Sequence, residues 1–186
     1  MSGADHTFQL YKGVIHMSTV FITGGSRGIG AAIARTFAFK GWNIAFSYLH
    51  SEEAAHALQN ELSARGISVL AVRADAADPA QADAFIERAV QELGAPDALV
   101  CSAGVALPQD VLTHVSDEDW HRVFSVNVDG LFYTVRAALP YFIRRRKGAI
   151  ITISSMWGQI GGSCEVAYSA SKGAVIAFTK PLARTR

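Results

Sequence analysis

Val20-Phe21-Ile22-Thr23-Gly24-Gly25-Ser26-Arg27-Gly28-Ile29-Gly30 decides the fold. The apolar run Val20-Phe21-Ile22 reads as a buried strand. A helical pattern follows the glycines, with Ile29, Ile33 and Phe37 on one face and Ala31, Ala32, Ala34 and Ala38 between them. A glycine turn alone is compatible with mere structure. Between a buried strand and an alanine-rich helix it points to nucleotide binding, because glycines let a pyrophosphate approach the backbone and the helix N-terminus offers it unpaired N–H groups. The glycines fall at 24, 28 and 30, a Gly-x-x-x-Gly-x-Gly spacing rather than Gly-x-Gly-x-x-Gly. Candidate cofactor contacts are Gly24, Ser26, Arg27, Gly28, Ile29 and Gly30.

Working outward, the same alternation repeats. A second strand is expected over Asn43–Tyr48, followed by a helix capped by Ser51 that runs through Leu62. The residues after a second strand of this kind meet the adenine ribose, where a carboxylate would select NAD. Here Tyr48, Leu49, His50 and Ser51 precede any acid. Arg27, with His50 or Ser51, suits a 2′-phosphate, so NADP(H) is favoured over NAD(H). A third strand, Val69–Val72, leads to Asp75, which either accepts a bond from an adenine amino group or caps a turn. Pro79 opens the next helix. The fourth strand, Asp97–Cys101, runs into Ser102-Ala103-Gly104, whose small side chains leave room for a cofactor. Ser116 is an N-cap. It starts one long helix that carries Asn127 and should kink or break at Pro140. Arg144-Arg145-Arg146-Lys147 reads as its solvated C-terminal turn. Five strands alternating with helices predict a parallel sheet covered on both faces, with ligands at the carboxyl ends of the strands.

The fifth strand, Ala149–Ile153, delivers Ser154 and Ser155, and the last helix carries Tyr168 and Lys172. Four residues apart, those two lie on one helix face, where a positive charge beside a phenol favours phenolate and equips the tyrosine for proton transfer.

The chain has 186 residues, is 50% hydrophobic and carries a net charge of +1, enough for one core and too balanced for a nucleic-acid surface. Two cysteines, Cys101 and Cys164, make no disulfide framework, and six scattered histidines show no metal spacing. Cys101 reads as core. No stretch has the length and apolarity of a membrane span, and no secretory signal precedes Met17, so a cytoplasmic location is expected. Residues 1–16 are expected to be a poorly ordered extension, and 17–186 the nucleotide-binding domain.

The chain resembles the short-chain dehydrogenase/reductase family, and within it the 3-oxoacyl-acyl-carrier-protein-reductase-like members. The glycine turn matches that family's cofactor motif, and Tyr168-x-x-x-Lys172 its catalytic motif. Ser155 lies thirteen residues before Tyr168, and Asn127 twenty-eight before Ser155, both usual spacings there. The resemblance implies a Rossmann-type doubly wound parallel sheet and an oxidoreductase interconverting a carbonyl and a secondary alcohol. It implies Tyr168 as general acid/base, Ser155 bonded to the reacting oxygen, Lys172 on the nicotinamide ribose, and Asn127 holding a water in a proton relay. Ser155 and Tyr168 would bind the small-molecule substrate, with Trp157, Gln109 and Cys164 as further candidates for its pocket. The helices of Asn127 and Tyr168 would pair two copies into a homo-oligomer.

Two departures stand out. Cys101-Ser102-Ala103-Gly104 replaces the family's Asn-Asn-Ala-Gly. The sequence also stops near the Tyr168 helix, at Pro181 to Arg186, before the family's sixth and seventh strands. The expectation is a C-terminally truncated chain whose sheet is incomplete at that edge, leaving an exposed apolar strand. The alternative to a reductase is then an inactive homologue that binds nucleotide weakly or acts only through its dimer helices.

Overall fold

The computed structural model describes residues 17–184. The expectation for residues 1–16 lies outside the described residues. Five strands form one parallel sheet: β1 (Thr19–Thr23), β2 (Asn43–Tyr48), β3 (Val69–Arg73), β4 (Ala98–Cys101) and β5 (Ala149–Thr152), in the order β3-β2-β1-β4-β5. The chain leaves β1 in one direction for β2 and returns on its other side as β4, which opens a crevice above their carboxyl ends.

Among the described residues, seven α-helices follow the strands: α1 (Gly28–Phe39), α2 (Glu52–Ser63), α3 (Pro79–Leu93), α4 (Asp117–Phe124), α5 (Gly130–Arg145), α6 (Trp157–Ile160) and α7 (Val166–Leu182). Strand alternation divides the core between the two faces of the sheet. Val20, Ile22, Ile44, Phe46 and Val100 pack under Ala31, Ala34, Leu58 and Leu62 of α1 and α2. Phe21, Ala45, Leu99 and Cys101 pack under Phe85, Ile86, Leu131, Val135, Ala138 and Val175 of α3, α5 and α7. All five residues of β1 are buried. In β5 the exposure alternates, and Ile151 is 41% exposed, so the expected apolar edge is present among the described residues.

The expected long helix runs continuously from α4 into α5, with a π-helical turn over Ser125–Asp129 that contains Asn127. Three local expectations need correction. Pro140 does not end α5; burial of Ala138 and Phe142 on either side outweighs a helix penalty of about 3 kcal/mol. Ser51 occupies the N-cap of α2 but makes no side-chain cap bond, so its hydroxyl is left to the crevice. The basic run is not wholly solvated. Arg145 donates to the carbonyls of Ala95 and Pro96 at 3.0 and 3.1 Å and pairs with Asp97 Oδ1 at 2.6 Å, clamping the start of β4 to the end of α5. Pro181, awkward for a helix, sits inside the last turn of α7. The cap at Ser116 and the helix start at Pro79, which follows the N-cap Asp78, are as expected.

Candidate active site

The glycine turn is built by close approach. Gly24 has φ +66°, and a Cβ there would stand 2.9 Å from Ala103 Cα, so only glycine lets the turn lie against the end of β4. Gly25 N–H donates to the Ser47 carbonyl at 2.9 Å, tying the turn to β2. Thr23 Oγ1 accepts from the N–H groups of Ser102 and Ala103 at 3.1 and 3.2 Å. This one hydroxyl braces the ends of β1 and β4 even with Ser102 in place of asparagine.

Above these strand ends lies a cleft of about 670 Å³. Gly24, Ser26, Arg27, Gly28, Ile29 and Gly30 line one side, as the sequence indicates. Tyr48, Leu49, His50 and Ser51 line the cleft beyond β2, Asp75 at the end of β3, and Ala103 and Gly104 at the end of β4. Asp75 Oδ1 accepts from Ala77 N–H at 2.9 Å, so the turn-capping alternative is realised while the residue still borders the cleft. Arg122, from the last turn of α4, is a further lining residue. No local sequence signal marks it; only the packing of α4 beside the strand ends brings it there. With Arg27 and Arg122 against the single acid Asp75, the lining favours an anion. The first turn of α1 holds no acidic residue, and Arg27 at its N-cap makes no side-chain cap bond, leaving the leading N–H groups to a phosphate. A Cβ at Gly28 would meet nothing within 4 Å, so the turn has open space where a phosphate would sit. The residues present therefore fit a dinucleotide, and one with a 2′-phosphate beside Arg27, His50 and Ser51.

The catalytic candidates gather beyond Gly104. A Cβ on Gly104 would come within 3.2 Å of Asn127 Oδ1 and 3.4 Å of Lys172 Nζ, so this glycine is the seam between cleft and catalytic cluster. Lys172 is 6% exposed. Its Nζ donates to the Ile153 carbonyl at 2.9 Å and lies 5.6 Å from the centre of the Tyr168 ring. Burial pushes the Lys172 ammonium below the usual lysine range. Asn127 is buried; its amide donates to the Val105 carbonyl at 2.9 Å and to Ser171 Oγ at 3.0 Å, while Oδ1 accepts from Val105 N–H at 2.8 Å. A cavity of about 10 Å³ is bordered by Asn127, Lys172, Ile153 and Thr23. That is about the space of one water.

Tyr168 is half-buried, with its ring edge-on to Trp157 at 6.1 Å and 90°. Ser155 Oγ accepts from Trp157 N–H at 3.2 Å, which leaves its own proton for another acceptor. No hydrogen bond joins Ser155, Tyr168 and Lys172 to one another among the described residues, and neither Ser155 nor Tyr168 borders the large cleft. Ser154 has a different task, donating to the Lys172 carbonyl at 2.8 Å. Of the other pocket candidates, Gln109 borders neither cavity, and Cys164 is exposed and offers its carbonyl to Asp110 N–H at 3.1 Å. Cys101 is buried and its thiol is pushed up to about 12 by desolvation, an inert core residue. No cluster of metal-ligating side chains exists among the described residues, and no helix there is long and apolar enough to cross a membrane.

The family model for short chain dehydrogenases matches residues 18–185. The 3-oxoacyl-acyl-carrier-protein reductase of Staphylococcus aureus is 37% identical over 166 residues, covering 89% of this chain and 67% of that one. The 2,3-dihydro-2,3-dihydroxybenzoate dehydrogenase of Bacillus subtilis is 38% identical over 162 residues, covering 87% of this chain and 61% of that one. Among solved structures, a blue fluorescent protein from a metagenomic library in complex with NADPH superposes with a TM-score of 0.82 at 39% identity, covering 90% of this chain and 68% of that one. The chain thus spans about two thirds of the length of these relatives.

Proposed function

This chain belongs to the short-chain dehydrogenase family, and we propose that it is an NADP-dependent oxidoreductase interconverting a carbonyl and a secondary alcohol, with Tyr168 exchanging the proton. The observation that carries this is Lys172. A lysine 6% exposed, with no carboxylate partner among the described residues and its ammonium over the Tyr168 ring, is costly to bury for structure alone.

When bound, the nicotinamide supplies a hydride to the substrate carbon. The glycine turn and the N-terminus of α1 hold the phosphates, and Arg27, His50 and Ser51 the 2′-phosphate. The NADPH complex of the structural relative supports the choice of NADP. In reduction, the carbonyl π electrons move onto oxygen, and that oxygen takes the phenolic proton of Tyr168. The Ser155 hydroxyl, oriented by Trp157 N–H, donates a hydrogen bond to the same oxygen as its negative charge grows. Lys172 stabilises the resulting phenolate by charge. The cavity between Asn127 and Lys172 has room for the water through which the proton is replaced. Oxidation of an alcohol runs the same proton path in reverse, with Tyr168 as base.

Self-association through α5 and α7 has support in the exposed Phe132 and Ile143 of α5, at 43% and 60%. A cytoplasmic location agrees with two free thiols.

The test is NADPH titration followed by an aldehyde or ketone reduction assay on wild type and Tyr168→Phe. Wild type should bind and turn over, while Tyr168→Phe keeps NADPH binding and loses turnover by about 10²–10⁴. Equal turnover in the two would exclude Tyr168 as the acid. Absence of both binding and turnover in wild type would favour the inactive homologue.

A further inference from the structure

Ser171 has no place in the mechanism above, yet it is fully buried, at 0% exposure, between two groups that have one. Its Oγ accepts from Asn127 Nδ2 at 3.0 Å and donates to the Tyr168 carbonyl at 2.8 Å. One hydroxyl thus spends its acceptor on the π turn and its proton on the helical turn that separates Tyr168 from Lys172. We propose that Ser171 is a positioning residue, locking the Asn127 amide to the backbone turn that sets the phenol over the ammonium. The proposal rests on the assignment of Tyr168 and Lys172 made above.

Helix stability does not call for this serine. A serine hydroxyl bonded back to its own helix is neutral to slightly destabilising, and alanine, used at 167, 170, 174 and 177 of the same helix, is the better helix former. Asn127 does call for it. Both amide protons of Asn127 are engaged, one on Val105 O and one on Ser171 Oγ, and Oδ1 is held by Val105 N–H. The asparagine therefore spans from the segment beside Gly104 to α7, and Ser171 supplies the α7 end of the span. Removing that hydroxyl frees a buried N–H and lets the span swing at the seam between cleft and catalytic cluster. Asn127 Oδ1 and Lys172 Nζ both crowd Gly104, so a shift of one reaches the other.

Ser171→Ala removes the hydroxyl with little change of volume. With an active wild type, Ser171→Ala should lower kcat about tenfold while KM and NADPH affinity stay within about twofold, because the loss is one of alignment. In an Asn127→Ala background the same change should cost nothing further, since Ser171 acts through Asn127. A second readout needs no turnover and no variant: in wild type, both Nδ2 protons of Asn127 should exchange slowly with solvent in the ¹⁵N side-chain spectrum. An unchanged kcat in Ser171→Ala, full additivity with Asn127→Ala, or solvent-like exchange of both protons would each overturn the proposal. A wild type without turnover sinks the reading on which it rests, and is told apart because the rate is then missing before any substitution.

Discussion

Gly28 and Gly30 stand two residues apart in one turn and should fail differently when given a methyl group. A Cβ on Gly30 would lie 2.2 Å from the Gly24 carbonyl oxygen, 2.9 Å from its carbon and 3.0 Å from Gly25 Cα. All three are backbone atoms, so no side chain can rotate aside. A relaxed C···O contact is about 3.3 Å, so the first turn of α1 must retreat by about 1 Å. Overpacking of that kind costs about 2 kcal/mol, or about 6 °C of Tm in a chain of this size. At Gly28 the φ is +53° and nothing lies within 4 Å. The left-handed conformation alone costs alanine about 1 kcal/mol. The new methyl group, however, fills open space beside the cleft that Gly28 lines, where the proposed phosphate would touch backbone. Displacing that phosphate should weaken NADPH about a hundredfold, or about 2.7 kcal/mol. Thermal melting without nucleotide and NADPH fluorescence titration separate the two effects. Gly30→Ala should melt about 6 °C lower. Gly28→Ala should melt only about 3 °C lower yet bind poorly. A Gly28→Ala protein that binds NADPH within twofold of wild type would refute the placement of phosphate at this turn.

Two further substitutions test the frame and the buried cation. Arg145→Ala leaves Asp97, whose side chain is 9% exposed, without the 2.6 Å guanidinium contact, and strips two donors from the Ala95 and Pro96 carbonyls. Breaking a pair this enclosed should cost about 3 kcal/mol, read as a lower urea midpoint with an unchanged slope; a loss under about 0.5 kcal/mol would mean that the contact behaves as a surface pair. Lys172→Met tests the sign of a pH effect. Burial depresses the folded Lys172 below the usual 10.5, so between its folded value and 10.5 the unfolded chain holds a proton that the folded chain has released. Unfolding free energy of wild type minus Lys172→Met should therefore rise with pH across that window and be lowest below it. Urea curves of the two proteins that stay parallel from neutral pH upward would contradict the assigned burial.

The architecture was legible because its signals are local. A strand of three apolar residues, a glycine turn and a helical alanine pattern sit within about one βα unit, and the same period recurs for β2 to β5. What stayed hidden depends on partners far along the chain. The π turn at Asn127 has no periodicity of its own within five residues, and what distinguishes it in the fold is the bond from Asn127 to Val105, twenty-two residues away. Arg145 reads as a solvated cation until Asp97, forty-eight residues earlier, is placed beside it. Ser51 looks like a cap because capping serines precede helices, yet its backbone adopts ψ 62° and its hydroxyl makes no cap bond. Pro140 reads as a breaker because local propensity carries no term for the burial of Ala138 and Phe142.

The two serines after β5 differ in what they are free to do. The thirteen-residue spacing from Tyr168 that is usual in the family points to Ser155. Ser154 spends its proton on the Lys172 carbonyl, which leaves Ser155 as the better candidate donor to a substrate oxygen. That bond also shows what Ser154 is for. The Lys172 turn is held from the strand side by Ser154 and by Nζ on the Ile153 carbonyl. It is also packed against α6, where a Cβ on Gly158 would come within 2.6 Å of the Lys172 carbonyl carbon. A helix pinned this closely at its lysine has little freedom to slide. The turn that carries the phenol is held in addition by the bond from Ser171 to the Tyr168 carbonyl. In the proposed mechanism the lysine meets both cofactor and tyrosine, so a helix held at Lys172 from the strand and tied again at the Tyr168 carbonyl by Ser171 keeps the two groups in one register.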